Sequence, residues 1–355
     1  MTNTISVKYK FLALIIAFTF FSCKKSNNHI SENLKNEYAK NYSIQDKNDQ
    51  IEIYSAGEKV LLPVNFKLTK CVITHTSASA YIQALGKLHT IAGVCSPHYF
   101  YNTEINAGIV NRKIQDIGND AGLNFEKIMA IRPDIIFTTH NHSYEKVLNQ
   151  LKKQGIKVIY IEEYLELHPL GKTEYLKLFG RLYSESAKAD SLYNKIKNNY
   201  ITLKNKVEIQ DKKPSVLTGM MYGDTWYMAG GKSFIAELFK DAGADYIWKD
   251  NSDSGSIPLS FEEVFSKAKN ADYWIGASNY STKKEMLASN SNYEWFDAYK
   301  NNRIYIFNKR ENKLKANDYY ESGTLYADRI LADIIKILHP QLIPEYQFEY
   351  IKKLE

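Results

Sequence analysis

Three cysteines in 355 residues are too few for a disulfide-stapled scaffold, and no C-x-x-C pair offers a redox or metal clip. The apolar run Phe11–Phe21 has eleven residues, short of the roughly twenty that a spanning helix needs. A phosphate loop is missing too. Gly231-Lys232-Ser233 imitates the end of one, but the glycine it requires five places earlier falls on Trp226. No Ser/His/Asp arrangement or paired-carboxylate spacing marks a catalytic centre, so the chain reads as a protein that is not an enzyme. A net charge of +6, without a block of like charge, demands no nucleic-acid partner.

What is present starts with an address. Lys8 and Lys10 precede the apolar run, and Ser22-Cys23 follows it. A basic start, a short apolar core and a small residue before a cysteine resemble a bacterial lipoprotein signal, with residues 1–22 removed and Cys23 carrying lipid. Phe20 and Phe21 depart from the usual Leu and small residue upstream. Residues 1–22 hold two lysines and no acid, so the remainder carries +4. Lys24, Lys25 and Ser26 form no acidic run, which favours a lipid-anchored protein facing the periplasm, touching the membrane only through its anchor. Cys71 and Cys95 lie in or beside apolar strand-like runs and read as buried free thiols, a disulfide between them remaining open. Tyrosine is abundant, at 27 residues, and surplus tyrosine suits binding surfaces.

The chain is organised by one unit used twice. In Leu123–Thr139, Asn124 caps a short helix, Phe125, Ile128, Met129 and Ile131 give it an apolar face, and Pro133 ends it before the strand Ile135–Phe137. In Pro258–Ser278, Ser260 caps, Glu263 completes a capping box, and Tyr273–Ala277 is the strand. The expected architecture is α/β: two lobes bridged by one long rigid helix, with a ligand cleft between them. Residues 23–50 are a polar tether, 51–169 the first lobe, 170–208 the bridging helix region and 209–355 the second lobe. Met220–Gly231 reads as a loop, and Tyr319–Leu338 as a long closing helix followed by a short tail.

The stretches ALGKLHTIAGV, LNFEKIMAIRPDIIF, KKQGIKVIYI, GGKSFIAELFKDAG and LSFEEVFSKAKNADYWI, with the central helix, resemble the substrate-binding proteins of ABC importers for iron siderophores, haem and cobalamin. The match covers roughly residues 70–280, and no single motif in it is diagnostic. The resemblance implies a monomer without intrinsic cofactor that captures an iron-siderophore complex, a cobamide or haem and delivers it to a permease dimer with ATPase subunits. It also implies that Glu126 and Glu262, standing at matching positions of the two units, dock into arginine pockets of the permease. An exposed carboxylate in a first helical turn suits this role, since the helix dipole keeps it ionised. Loops at strand ends offer cleft residues: Pro97, His98, Tyr99, Asp120, His140 and His142 from the first lobe. The second offers Tyr222, Trp226, Tyr227 and Met228, then Ser256, Ser278 and Asn279, with Arg310 and Lys313 to answer ligand carboxylates or catecholates. Trp226-Tyr227 is the leading pair. Direct metal binding through His140 and His142, with His75 and His98 near, is the alternative.

Overall fold

The structure, a computed structural model, describes residues 36–277 and 280–355. Cys23, the signal segment, Ser278 and Asn279 lie outside the described residues.

In the first lobe every strand pairing of the main sheet is parallel. Across it run Lys157–Tyr160, Ile135–Thr138, Cys71–Ile73, Ile91–Val94 and Gln115–Asp116. The side-chain period of two then sorts the apolar runs into layers. Cys71, Ile73, Ile135, Phe137 and Ile159 enter the large core on one face. Val72, Ile136, Val158 and Tyr160 join a smaller core under the helices on the other. Such runs are apolar throughout because both faces are covered. Cys71 and Cys95 belong to these different cores, and both are free thiols.

The second lobe orders Asp245–Tyr246, Ser215–Leu217, Tyr273–Ile275, Ile304–Ile306 and Lys352–Lys353. Its last strand is antiparallel. The supposed tail is therefore part of the sheet. Asp333 anchors it by accepting the N–H groups of Glu349, Tyr350 and Ile351 at 2.7–2.8 Å.

The repeated unit holds down to its hydrogen bonds. Asn124 and Ser260 cap helices Phe125–Ile131 and Phe261–Ala268. Asp134 then accepts the N–H of Thr69 and Lys70 ahead of the central first-lobe strand, as Asp272 accepts that of Ser215 in the second. The capping box is only half made: Ser260 accepts the Glu263 N–H, while the Glu263 carboxylate lies 3.5 Å from Lys267.

Two expectations are corrected. The bridging region is a pair of helices, Pro169–Leu182 and Ser186–Glu208, rather than one. Ser184 breaks the run at φ 57°, and a Cβ on Gly180 would lie 2.4 Å from the Ala189 Cβ, so glycine is required for the second helix to fold back on the first. The second helix, about 35 Å long, does connect the lobes. The residue before it, Glu185, pairs with Lys87 of the first lobe, and Lys204 near its end pairs with Asp241 of the second. The tether is also shorter than expected. Tyr42–Lys47, Gln50–Ser55 and Glu58–Pro63 form an antiparallel meander, with Ile44, Ile51, Ile53 and Leu62 in the large core.

Candidate functional site

Open α/β sheets bind ligands beyond the carboxyl ends of strands, where the strand order reverses. Here the chain leaves Cys71–Ile73 toward one sheet edge and later adds Ile135–Thr138 on the other side. Beyond these two strand ends lies a cleft of about 440 Å³. Its first-lobe wall includes His75, Tyr99, Asp120 and His140; the facing wall comes from Glu311, Lys315, Asn317 and Tyr320. A polar contact already joins the walls, the Thr76 hydroxyl donating to the Tyr320 carbonyl at 3.2 Å, and beside the cleft the Tyr101 N–H donates to the Glu321 carboxylate at 2.8 Å.

His75 is the distinctive group in the cleft. Both its ring nitrogens are buried without a hydrogen-bond partner among the described residues. Burial lowers its pKa to about 3, so the imidazole is neutral at physiological pH. A neutral, unpartnered imidazole in a cleft wall can donate to a ligand oxygen or coordinate a metal once its nitrogens are uncovered. His140 stands across the strand ends, with its ring 4.8 Å from that of Tyr160. The cleft's charged lining is net negative, because Lys315 is matched by Glu311 at 2.7 Å and Asp120 adds a carboxylate without a cation in that wall.

Of the residues expected to line a cleft, Tyr99, Asp120 and His140 do so. The His98 ring lies tilted against that of Tyr99, 4.1 Å between centres, beside the half-buried Pro97, and neither His98 nor Pro97 is in the cleft wall. His142 points outward, almost wholly exposed, and faces Glu145 at 3.3 Å, so it makes no metal pair with His140. The expected loop Met220–Gly231 is a hairpin, and strand periodicity divides its leading pair. Trp226 and Met228 are fully buried, whereas Tyr227 and Tyr222 face solvent outside the cleft wall. Trp226 stacks on Trp274 at 5.2 Å and donates its indole N–H to the Thr218 carbonyl, so the expectation that it binds ligand is overturned. Arg310 is engaged by Asp318 at 2.6 Å and Glu349 at 3.4 Å. Lys313 and Ser256 are exposed and likewise outside the cleft wall.

Among the described residues one group gathers three metal-ligating side chains, His168, Glu237 and Asp241. Its acids are matched by Lys240 at 2.9 Å and Lys204 at 2.8 Å, and His168 Nδ1 accepts the Leu170 N–H. It is a structural clamp between the helices.

Glu126 and Glu262 stand where the repeat places them, exposed in the first turns of matching helices. Neither makes an ion pair or hydrogen bond among the described residues. Sequence reasoning named His75 only as a residue that could join a metal site at His140 and His142, and missed Tyr320. The strand-end rule that found His140 selects His75 equally. Tyr320 was hidden because Asp318–Thr324 is two short turns, where a continuous helix was expected.

Glu321 supplies a test of the inter-lobe contact. Burial, outweighing the Tyr101 N–H and joined by the nearby Asp318 charge, raises its pKa to about 7. The folded state therefore holds a proton that the unfolded chain releases near pH 4.5, and stability falls as pH rises between these values. The loss at pH 8 is on the order of 3 kcal/mol. Glu321→Gln is expected to flatten the difference between denaturant midpoints at pH 5 and pH 8. An unchanged difference would assign the pH dependence to another group.

Two α/β lobes bridged by a helix, with a polar cleft at their strand ends, define a solute receptor. The chain belongs to the periplasmic binding protein family, whose model matches residues 72–311. It is 27% identical over 312 residues to an uncharacterized lipoprotein of Methanocaldococcus jannaschii, covering 84% of this chain and 72% of that protein. A vitamin B12-binding protein of Salmonella typhimurium is 23% identical over 52% of this chain and 71% of its own length. Two solved structures share the fold. A periplasmic binding protein from Veillonella parvula gives a TM-score of 0.64 at 16% identity, over 83% of this chain and 99% of that one. A periplasmic haem-binding protein from Pseudomonas aeruginosa gives 0.58 at 17%, over 77% and 93%. No described helix is long and apolar enough to cross a membrane.

Proposed function

We propose that this chain is the lipid-anchored, extracytoplasmic receptor of an ABC importer, captures a metal chelate between its lobes and passes it to a permease through Glu126 and Glu262. The observation that carries the reading is the cleft at the strand ends, walled by both lobes and holding the unpartnered His75. Lipidation at Cys23 and delivery to a permease dimer with ATPase subunits rest on the sequence resemblance and on the lipoprotein relatives.

The cleft's charge balance refines the ligand class. No arginine lines it, and its lysine is already paired with Glu311. A tri-anionic ferric catecholate would meet Asp120 with no free cation in that wall, at a substantial electrostatic cost. A ferric hydroxamate or another chelate of low charge suits it better. A second reading, haem or a cobamide, is favoured by His75, whose unpartnered ring nitrogens would suit axial coordination once the cleft wall uncovers them.

The test is to titrate the protein lacking residues 1–22 with a ferric hydroxamate, a ferric catecholate, haemin and cobalamin, following intrinsic fluorescence. Saturable binding of one low-charge chelate, with Kd on the order of 1 μM or below, is expected. His75→Ala should weaken that binding at least about ten-fold, a loss of roughly 1.4 kcal/mol. Preferred binding of the catecholate, or indifference to His75→Ala, overturns the ligand assignment.

A further inference from the structure

Beside the polar cleft, and sharing Tyr320 with it, lies a second pocket of about 240 Å³. Its wall is largely apolar, with Phe234, Leu238, Tyr319, Ala327 and Ile330, and its single cation is Lys172. The Lys172 ammonium lies 3.4 Å from the centre of the Phe234 ring and makes no ion pair or hydrogen bond among the described residues. Glu163, the nearest anion by its influence, is outside salt-bridge distance and accepts instead from the Ser77 hydroxyl at 2.6 Å. A lone ammonium in an apolar pocket is short of a counter-charge. Burial draws its pKa down to about 8, whereas the nearby carboxylates raise it. The face of Phe234 compensates only in part, since a ring quadrupole is a weaker partner than an anion.

We infer that the Lys172 pocket is a carboxylate subsite: it receives an apolar arm ending in a carboxylate, with the apolar part against Phe234, Leu238 and Ile330 and the carboxylate on the ammonium. A pocket of this size takes an aromatic ring or a short acyl chain, since an apolar cavity of about 150 Å³ already admits benzene. Tyr320 stands between the two compartments, so one ligand spanning both would place its chelate by His75 and its arm by Lys172. This deepens the receptor reading and rests on it for the identity of the whole ligand. The subsite itself does not need a metal.

The probes are octanoate and octanol, titrated separately into the folded protein lacking residues 1–22 by calorimetry. Octanoate is expected to bind at least about ten-fold tighter than octanol, because only the carboxylate answers the ammonium. Lys172→Met should remove that preference and Lys172→Arg should retain it, with thermal unfolding of both variants checked first. Should Lys172→Met fail to fold, Lys172→Gln serves the same comparison. Equal affinity for octanoate and octanol, or a preference that survives Lys172→Met, overturns the subsite. Competition separates the two levels. Octanoate that binds and is displaced by haemin, whose propionates are carboxylate arms, supports a single ligand spanning both compartments. Octanoate binding in a protein that takes no chelate keeps the subsite and removes the receptor reading. Chelate binding without octanoate binding does the reverse.

Discussion

Glu126→Lys combined with Glu262→Lys is expected to abolish chelate uptake while leaving affinity for the chelate within about two-fold of the parent. Both side chains are exposed, outside the cleft wall, and without an intramolecular ion pair or hydrogen bond among the described residues. Neither substitution removes a native contact, and distant, unconnected sites act additively. Each lies in a first helical turn, where the dipole favours the anion and a bidentate guanidinium can reach it. Loss of one partner from a desolvated interface pair costs about 2–5 kcal/mol, and reversal adds repulsion. Each single variant should therefore cut transport at least about thirty-fold at limiting receptor. Uptake of labelled chelate in cells or proteoliposomes, set beside affinity measured on purified protein, separates the two effects. Parallel loss of affinity and uptake would refute the docking role. Glu294→Lys, a charge reversal at an exposed second-lobe residue of the short turn Ser291–Trp295, is the control and should leave both unchanged.

The largest expected stability effect lies at Glu174. This carboxylate is fully buried and accepts the N–H groups of Glu37, Tyr38 and Ala39 at 2.8–3.1 Å, with Lys177 at 2.9 Å. Burial alone would raise its pKa, yet these donors outweigh it and hold the pKa below the ordinary value. Glu174→Ala strips a run of main-chain donors of their acceptor and leaves the Lys177 ammonium unpaired. A loss of about 3–5 kcal/mol is expected, in the range for breaking a buried charged network. Glu174→Gln should cost less, because its carbonyl still accepts one or two of the N–H groups. Chemical denaturation at pH 7 measures both. The lowered pKa gives a second signature: the Glu174 contribution is present above pH 4.5 and disappears as pH falls through the lower folded value. A stability loss below about 1 kcal/mol would mean that the segment before the meander is not tied to the bridging helices.

Local chemistry made much of this molecule legible. Asn124 and Ser260 are side-chain caps before apolar helices, and a cap acts on N–H groups two or three residues away. The apolar runs at 71–73, 91–94, 135–138 and 157–160 are strands because both their faces are buried, which needs no partner to be recognised. Glu126 and Glu262 were readable for the same reason: an exposed first-turn acid is defined by its own helix. The errors fall where distant residues decide. Glu166 and Glu174 recruit residues 37–41 into the fold from more than a hundred residues away, so a stretch that is polar in sequence is structured. Asp333 does the same for the C-terminal strand.

The sequence by itself determined the two α/β units, their order, the paired exposed carboxylates and the strand ends at which ligand groups gather, since each follows from contacts within about ten residues. The tertiary structure decided which of those groups face one another. It turned Trp226 into the second-lobe core and Tyr227 out, because a strand's two faces are assigned by what packs on them. It consumed Arg310 in ion pairs with Asp318 and Glu349. It also brought Tyr320, from the far end of the chain, to the wall between His75 and Lys172. A cleft between lobes is made of long-range contacts, and the residues that form it carry no local mark of their partners.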